Sequence, residues 1–267
     1  MNRQIADLGA ILQEMRAVTV AVSGGVDSVT LAVQAHRLLG ARATLAHAVS
    51  PAVPPEATQR VRDLAAQEGW RLLVFDAGEF ADPDYLGNPV NRCFFCKGHL
   101  YDAIAARTES QILSGTNTDD LGEYRPGLLA ARKQGVRHPY VEAGMDKAAV
   151  RHLASELGLG PIAALPASPC LSSRVETAIP IEADVLTAIH AVEQLVASVL
   201  DPGTVRCRVR SAAIVIELDG DALDRADQGA RDALAERIRP LLPVRLAERP
   251  VGFADYRTGS AFVGAPA

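Results

Sequence analysis

The chain has 267 residues, 48% of them apolar and 22% charged, and a net charge of −5 at pH 7. That supply of apolar side chains suits one large or two modest domains with buried cores. The acidic balance excludes the global basic footprint of a nucleic-acid binder, although Arg206, Arg208 and Arg210 leave room for a local basic stripe.

Met1 to Arg16, carrying Asp7 and Glu14, reads as a short amphipathic helix without the layout of a secretory signal. No apolar run approaches a membrane span in length, so the expected location is the cytoplasm, with no membrane partner. In that compartment the four cysteines favour metal binding or reactivity over disulfides. Strands are expected at Val18–Val22, Ala43–Val49, Arg71–Phe75 and Gln111–Ser114. They alternate with helices at Asp27–Leu39, Pro55–Glu68, Lys97–Arg107 and Lys147–Leu157. This alternation predicts βαβ units and a parallel sheet. From about Gly158 to Pro180 the pattern gives way to a Gly/Pro/Ser-rich stretch, read as a linker that carries functional residues. A helix over Ala183–Leu200, strands at Val205–Arg210 and Ala213–Leu218, a helix near Ala222–Ile238 and a strand at Val244–Leu246 follow. The expected fold class is therefore α/β. A parallel-sheet domain covers residues 1–165, the linker 166–182, and a smaller α+β domain with an antiparallel or mixed sheet 183–267.

The most informative segment is Ser23-Gly24-Gly25-Val26-Asp27-Ser28, between the first strand and the helix that follows. Two glycines allow a tight turn, the helix start offers N–H groups and the positive end of its dipole, and Ser23 and Ser28 add hydroxyls. Ser23, Gly24, Gly25, Asp27 and Ser28 thus suit a pyrophosphate cradle. No Gly-Lys-Ser/Thr follows, so this is not a Walker A loop. Asp27 fits helix capping or metal holding better than direct contact with phosphate. The segment resembles the PP-loop of the ATP pyrophosphatase superfamily. That resemblance implies ATP as substrate, release of AMP and pyrophosphate, and an adenylated intermediate.

Cys93 and Cys96 form a C-x-x-C in Asn91-Arg92-Cys93-Phe94-Phe95-Cys96-Lys97, just ahead of an expected helix. Alone it is ambiguous between a zinc half-site, a redox pair and two core cysteines. No second C-x-x-C or H-x-x-x-H completes a four-ligand zinc site. Cys170, in Ala167-Ser168-Pro169-Cys170-Leu171-Ser172-Ser173-Arg174, sits where Arg174 and a serine-rich loop favour an accessible, acidified thiolate. Three thiolates from Cys93, Cys96 and Cys170 would leave one iron of a 4Fe–4S cluster without a protein ligand, open to an exchangeable sulfide. Cys207, within an expected strand, reads as a buried small apolar residue.

Together these segments resemble the LarE-like sulfur transferases, the PP-loop branch that makes the nickel-pincer nucleotide cofactor. The shared motifs also include Ala48-Val49-Ser50-Pro51, Asp82-Pro83-Asp84-Tyr85 and Asn88 through Lys97. Gly115-Thr116-Asn117-Thr118-Asp119-Asp120, Tyr124-Arg125-Pro126-Gly127, and Lys147 with Val150-Arg151 continue the set. Arg208-Val209-Arg210, Ile216-Glu217 and Gly252 through Ser260 match more weakly. The chain departs from the family pattern at Ala163-Ala164-Leu165-Pro166, at Val175-Glu176-Thr177-Ala178, where a Pro-Tyr-Gly is usual, and at Val215. The resemblance implies adenylation of a pyridinium mononucleotide carboxylate, displacement of AMP by sulfur, and a thiocarboxylate product. It names Cys170 as the sulfur donor in members that sacrifice it. The additional C-x-x-C implies the three-cysteine, 4Fe–4S type. The implied partners are a small mononucleotide substrate and a symmetric homo-oligomer, with no nucleic acid.

Further roles follow from position. Ser50, after the second strand, is placed to meet the adenosine, and Asp119 with Asp120 can hold Mg2+ or cap a helix. Arg125 and Lys147 are expected on phosphate groups; Arg174, Arg208 and Arg210 on anionic substrate groups, the last two sharing one face of a strand. His36, His47, His99 and His138 show no ligand spacing. The alternatives are an iron–sulfur-dependent tRNA thiolase, a PP-loop amide ligase using ammonia, and a binding module without turnover.

Overall fold

The run Val-Thr-Val-Ala is β-branched at three of four positions, and all four side chains are buried, as in a strand covered on both faces. It forms β1 (Val18–Ala21), the inner strand of a parallel sheet with order β3-β2-β1-β4, where β2 is Ala43–Ala48, β3 Arg71–Phe75 and β4 Gln111–Leu113. The register pairs Val18 with Ala43 on one side and with Gln111 on the other. In the computed structural model residues 3–122, 125–166 and 169–264 are described. Met1, Tyr124, Ala167 and Ser168, which belong to the expected first helix and to motifs above, lie outside the described residues.

The helices, in chain order, begin with α1 (Arg3–Gln13), α2 (Val26–Leu39), α3 (Pro55–Glu68), α4 (Pro83–Leu86) and α5 (Arg92–Ala105). Then come α6 (Pro126–Lys133), α7 (Pro139–Glu142), α8 (Lys147–Glu156), α9 (Gly160–Ala163) and α10 (Ala183–Leu200). The last are α11 (Gly220–Arg225), α12 (Gln228–Ile238) and α13 (Val244–Ala247); strands β5 (Val205–Val209), β6 (Ile214–Leu218) and β7 (Val251–Asp255) complete the fold.

Two compact units result. The first contains residues 1–82 and 91–168, the second residues 83–90 and 169–266. In the first, apolar side chains of α1, α2 and α8 pack on one face of the sheet around Val18, Val20, Leu45 and Leu113. Tyr101 and Ile104 of α5 and Ala131 of α6 pack on the other, with Ala21, Ala46 and Ile112. This is the α/β architecture expected, with helices on both faces of an all-parallel sheet.

In the second unit β5 runs antiparallel to β6, and β7 parallel to β6. Four expectations need correction, in this unit and in α5. The strand expected at Val244–Leu246 is the short helix α13, and the third strand lies at Val251–Asp255. The helix expected over Ala222–Ile238 is two helices, because Asp227 accepts the Ala230 N–H and starts a new one. The C-x-x-C lies inside the first turn of α5, not ahead of it. Finally, α10 is long and apolar enough to cross a membrane by length and composition, contrary to the reading of the sequence. Its Val185, Leu186, Ile189, Val192 and Val196 are buried in the second unit, so those side chains belong to a core.

Candidate functional site

Because the sheet is parallel, the segments after β1, β2 and β4 emerge at one edge. The chain winds outward from β1 through β2 to β3, then returns to place β4 on the other side of β1. The loop after β1 therefore stands at the point where strand order reverses, the location of the binding crevice in open α/β sheets.

Ser28 holds that loop together. Its hydroxyl donates to the Gly25 carbonyl at 3.1 Å and accepts the Ser23 N–H at 3.1 Å, with the Ser23 hydroxyl also 3.1 Å away. Ser28 is thus buried and structural, whereas Ser23 is exposed. Gly25 occupies the N-cap of α2 without any side chain, so the first-turn N–H groups face outward rather than into a cap. Gly24 has φ +86°, and a Cβ there would stand 2.7 Å from the Ala57 carbonyl oxygen. Gly115, after β4, approaches as closely: a Cβ would lie 2.9 Å from the Ser28 nitrogen. Both glycines are required by contact with backbone.

Beneath the loop, His47 of β2 is fully buried. Its Nδ1 stands 2.8 Å from the Val22 carbonyl oxygen and its Nε2 2.9 Å from the Thr58 hydroxyl of α3. Burial pushes its pKa down, so the neutral ring, with Nδ1–H donating, fits both contacts. His138 is likewise pushed down by burial and lies 2.9 Å from the Ser114 hydroxyl.

Asp27 is the hub of the polar side chains. The Lys147 ammonium donates to its carboxylate, and the Asn117 amide donates to the other oxygen at 3.4 Å. The buried Tyr140 hydroxyl donates to the Asp27 carbonyl at 3.1 Å; burial, then the Asp27 charge, raises that phenol well above its ordinary pKa. Asp119 accepts the Lys147 backbone N–H at 3.1 Å, tying the start of α8 to the turn Thr118–Gly122 after β4. Asp120 accepts the Asn117 N–H at 3.1 Å and pairs with Arg125 at 2.8 Å. Asp27, Asp119, Asp120, Arg125 and Lys147 are thereby brought into one network with the glycine loop. Asp27 makes no side-chain cap bond, and the cap of α8 is Asp146. Ser50 lies in the turn after β2, its hydroxyl accepting the Ala52 N–H at 3.3 Å. Sequence reasoning missed Asn117 and Tyr140; the first lies inside a quoted motif, and the second carries no local signal.

All four cysteines are thiols: Cys207 buried, Cys170 exposed, Cys93 and Cys96 half-buried. Three residues apart on α5, Cys93 and Cys96 share a face. Burial raises the Cys207 thiol far above its ordinary pKa, which makes it inert. Among the described residues no three His, Cys, Asp or Glu side chains are arranged to hold a metal ion.

Cys170, in the second unit, precedes the 3-10 turn Leu171–Arg174. Arg174 is buried and fills that turn: it donates to the Pro169 carbonyl at 2.6 Å and the Cys170 carbonyl at 3.2 Å while gripping both carboxylate oxygens of Glu193 at 3.0 Å. Arg208 is buried against Glu217 at 2.8 Å and donates to the Ser173 carbonyl at 3.0 Å. Arg210 reaches Glu217 at 3.2 Å and the Ser260 carbonyl at 2.6 Å. These arginines, expected on substrate anions, make internal bonds that shape the segment around Cys170.

No protein-family model matches the chain. It is 31% identical, over 80% of its length and 78% of the relative's, to the pyridinium-3,5-bisthiocarboxylic acid mononucleotide synthase of Lactiplantibacillus plantarum. The chain belongs to the LarE-like family. An uncharacterised protein of Synechocystis sp. is 38% identical over 65% of this LarE-like chain and 66% of its own length. One from Methanocaldococcus jannaschii is 28% identical over 50% and 53%.

Proposed function

We propose that this LarE-like chain is an AMP-forming, ATP-dependent sulfur transferase of nickel-pincer nucleotide biosynthesis, working in the cytoplasm. Its substrate is pyridinium biscarboxylic acid mononucleotide, and its product carries a thiocarboxylate. The observation that carries this reading is the likeness to the Lactiplantibacillus synthase over most of both chains.

A substrate carboxylate oxygen attacks the α-phosphorus of ATP, the bond to the β-phosphate oxygen breaks, and pyrophosphate leaves. The loop N–H groups, the α2 dipole and the Ser23 hydroxyl meet the charge that develops on the departing pyrophosphate. Lys147 and Arg125 add positive charge, and Ser50 contacts the adenosine. Mg2+ takes one or two carboxylates together with phosphate oxygens; Asp27, Asp119 and Asp120 are hard oxygen donors of that kind, and one or two of them would hold it. A sulfur nucleophile then attacks the acyl adenylate and AMP leaves. The second unit supplies Cys170; if that residue is itself the donor, its Sγ becomes acylated, its Cα proton is lost, the Cβ–Sγ electron pair leaves with the thiocarboxylate, and dehydroalanine remains. The half-buried thiols of Cys93 and Cys96, with the exposed Cys170, are soft donors suited to iron; the chemistry of the donor set, and not an arrangement already formed, supports their holding a 4Fe–4S cluster. When bound, that cluster supplies an iron without a protein ligand, able to carry a replaceable sulfide. Arg174, Arg208 and Arg210 shape the binding segment for the substrate's anionic groups.

The test is turnover with Mg·ATP and the pyridinium substrate after anaerobic purification and reconstitution with iron and sulfide. Pyrophosphate and thiocarboxylate are expected, with iron and a visible absorption band on the protein. C170A should release pyrophosphate yet form no thiocarboxylate; carboxamide formed from ammonia at the same rate by the wild type and C170A would favour an amide ligase. A chain that binds no iron and loses one equivalent of hydrogen sulfide at Cys170, measured by mass spectrometry, would make Cys170 the sulfur source. Absence of pyrophosphate release would sink the proposal.

A further inference from the structure

The loop's backbone is held partly from inside and partly by other elements: at its far end the Tyr140 hydroxyl donates to the Asp27 carbonyl at 3.1 Å. Ser28 takes the Ser23 N–H and the Gly25 carbonyl, but the Gly24 carbonyl is held from outside, by Arg60 of α3, whose Nη1 donates to it at 2.8 Å. Helix α3 is in direct contact with the loop at this point, with the Ala57 carbonyl oxygen 2.7 Å from where a Gly24 Cβ would be. The carbonyl and the N–H of one trans peptide point in opposite directions. With the Gly24 oxygen turned toward Arg60, the Gly25 N–H of the same peptide points the other way, toward the exposed Ser23 hydroxyl 3.5 Å off.

That peptide has glycine on both sides, so it is the least restrained in the loop. Rotated by half a turn, it would present a carbonyl oxygen where the N–H now points, and an anion there would be repelled rather than bound. A guanidinium bond to a carbonyl is charge-assisted and stronger than a neutral one, and it also polarises the peptide so that its N–H becomes a better donor.

We propose that Arg60 is a positioning residue that locks the Gly24–Gly25 peptide with its N–H toward the outer phosphates of ATP. This rests on the reading of Ser23–Ser28 as the ATP cradle. Arg60 does not touch the nucleotide in this proposal; it acts through the peptide.

Calorimetric titration of the full chain with Mg·ATP and with AMP tests it, since AMP lacks the outer phosphates. R60M should weaken ATP binding about tenfold to a hundredfold, the loss of one charge-assisted hydrogen bond, while AMP binding moves less than about threefold. R60K, which keeps the charge and one donor, should fall between. A purely structural role would move both ligands together. Wild-type protein that fails to bind ATP would overturn the cradle reading itself. Wild-type protein that binds ATP, with an unchanged ATP-to-AMP affinity ratio in R60M, would overturn the role of Arg60 alone. If R60M does not fold, the same ratio in R60K decides.

Discussion

The glycine loop of the first unit, which we propose cradles phosphate, and the arginine network of the second are made in opposite ways. The loop is defined by backbone: two close approaches that exclude a Cβ, one internal serine and a helix start without a side-chain cap. Around Cys170 the structure is defined by charge. Arg174 and Arg208 are both almost fully buried, and each is matched to a glutamate that is itself buried. A site made from backbone should fail when a methyl group is added. One made from buried ion pairs should fail when a carboxylate is removed.

The largest expected effect is on the charged side. Glu217 accepts from Arg208, Arg210 and the Ser260 hydroxyl, the last at 2.6 Å. E217A leaves the Arg208 guanidinium buried with, among the described residues, only the Ser173 and Arg257 carbonyls as acceptors. Breaking a buried pair in this way costs about 3–5 kcal/mol, read as a shift of urea unfolding followed by far-UV circular dichroism. A loss under about 1 kcal/mol, the range of exposed pairs, would show that the network is solvated and erase the contrast.

G115A is the corresponding test of the loop. The added methyl would meet the Asp27 carbonyl carbon and the Ser28 nitrogen, each at 2.9 Å, and neither is the movable end of a side chain. Overpacking of this kind costs about 1–3 kcal/mol, and the displaced first turn of α2 should lose ATP affinity more than about tenfold. Normal affinity with normal stability would mean that the loop tolerates displacement and that its geometry is not set by these contacts.

The same contrast explains what could be read from the sequence. The loop, the strands β1 to β4, and helices α3 and α10 announce themselves through local pattern: periodicity, Gly-Gly and flanking apolar runs. Ion-pair partners do not. Arg208 and Arg210 read as a basic face because they alternate, but Glu217 reaches both only through the antiparallel pairing of β5 with β6, which no local signal fixes. Glu193 reaches Arg174 from α10 in the same non-local way. The start of α5 was hidden because Asn91 makes no side-chain cap bond and Asn88-Pro89 reads as a breaker. β7 was hidden because it is only half-buried, and it carries Gly252, a weak strand residue. The excursion of residues 83–90 into the second unit rests on Asn88, whose side-chain amide donates to the Glu176 and Ile179 carbonyls, both at 2.9 Å. Those bonds link segments far apart in the chain.

That Asn88 clasp holds a strained residue, which gives the smallest of the three tests. Ala178 has φ +71°, a conformation that costs a residue with a Cβ about 1–2 kcal/mol. Its N–H is committed to the Asn88 carbonyl at 2.9 Å, so the backbone has no cheap way to relax. The side chain is exposed, so removing its methyl gives up no packing. A178G should therefore raise stability, by about 1 kcal/mol or somewhat less after glycine's larger unfolded-state entropy is subtracted. The opposite sign would mean that Ala178 relaxes to a negative φ in solution. The Asn88 clasp would then be looser than the ion pairs beside it, and the second unit would owe its shape to charge alone.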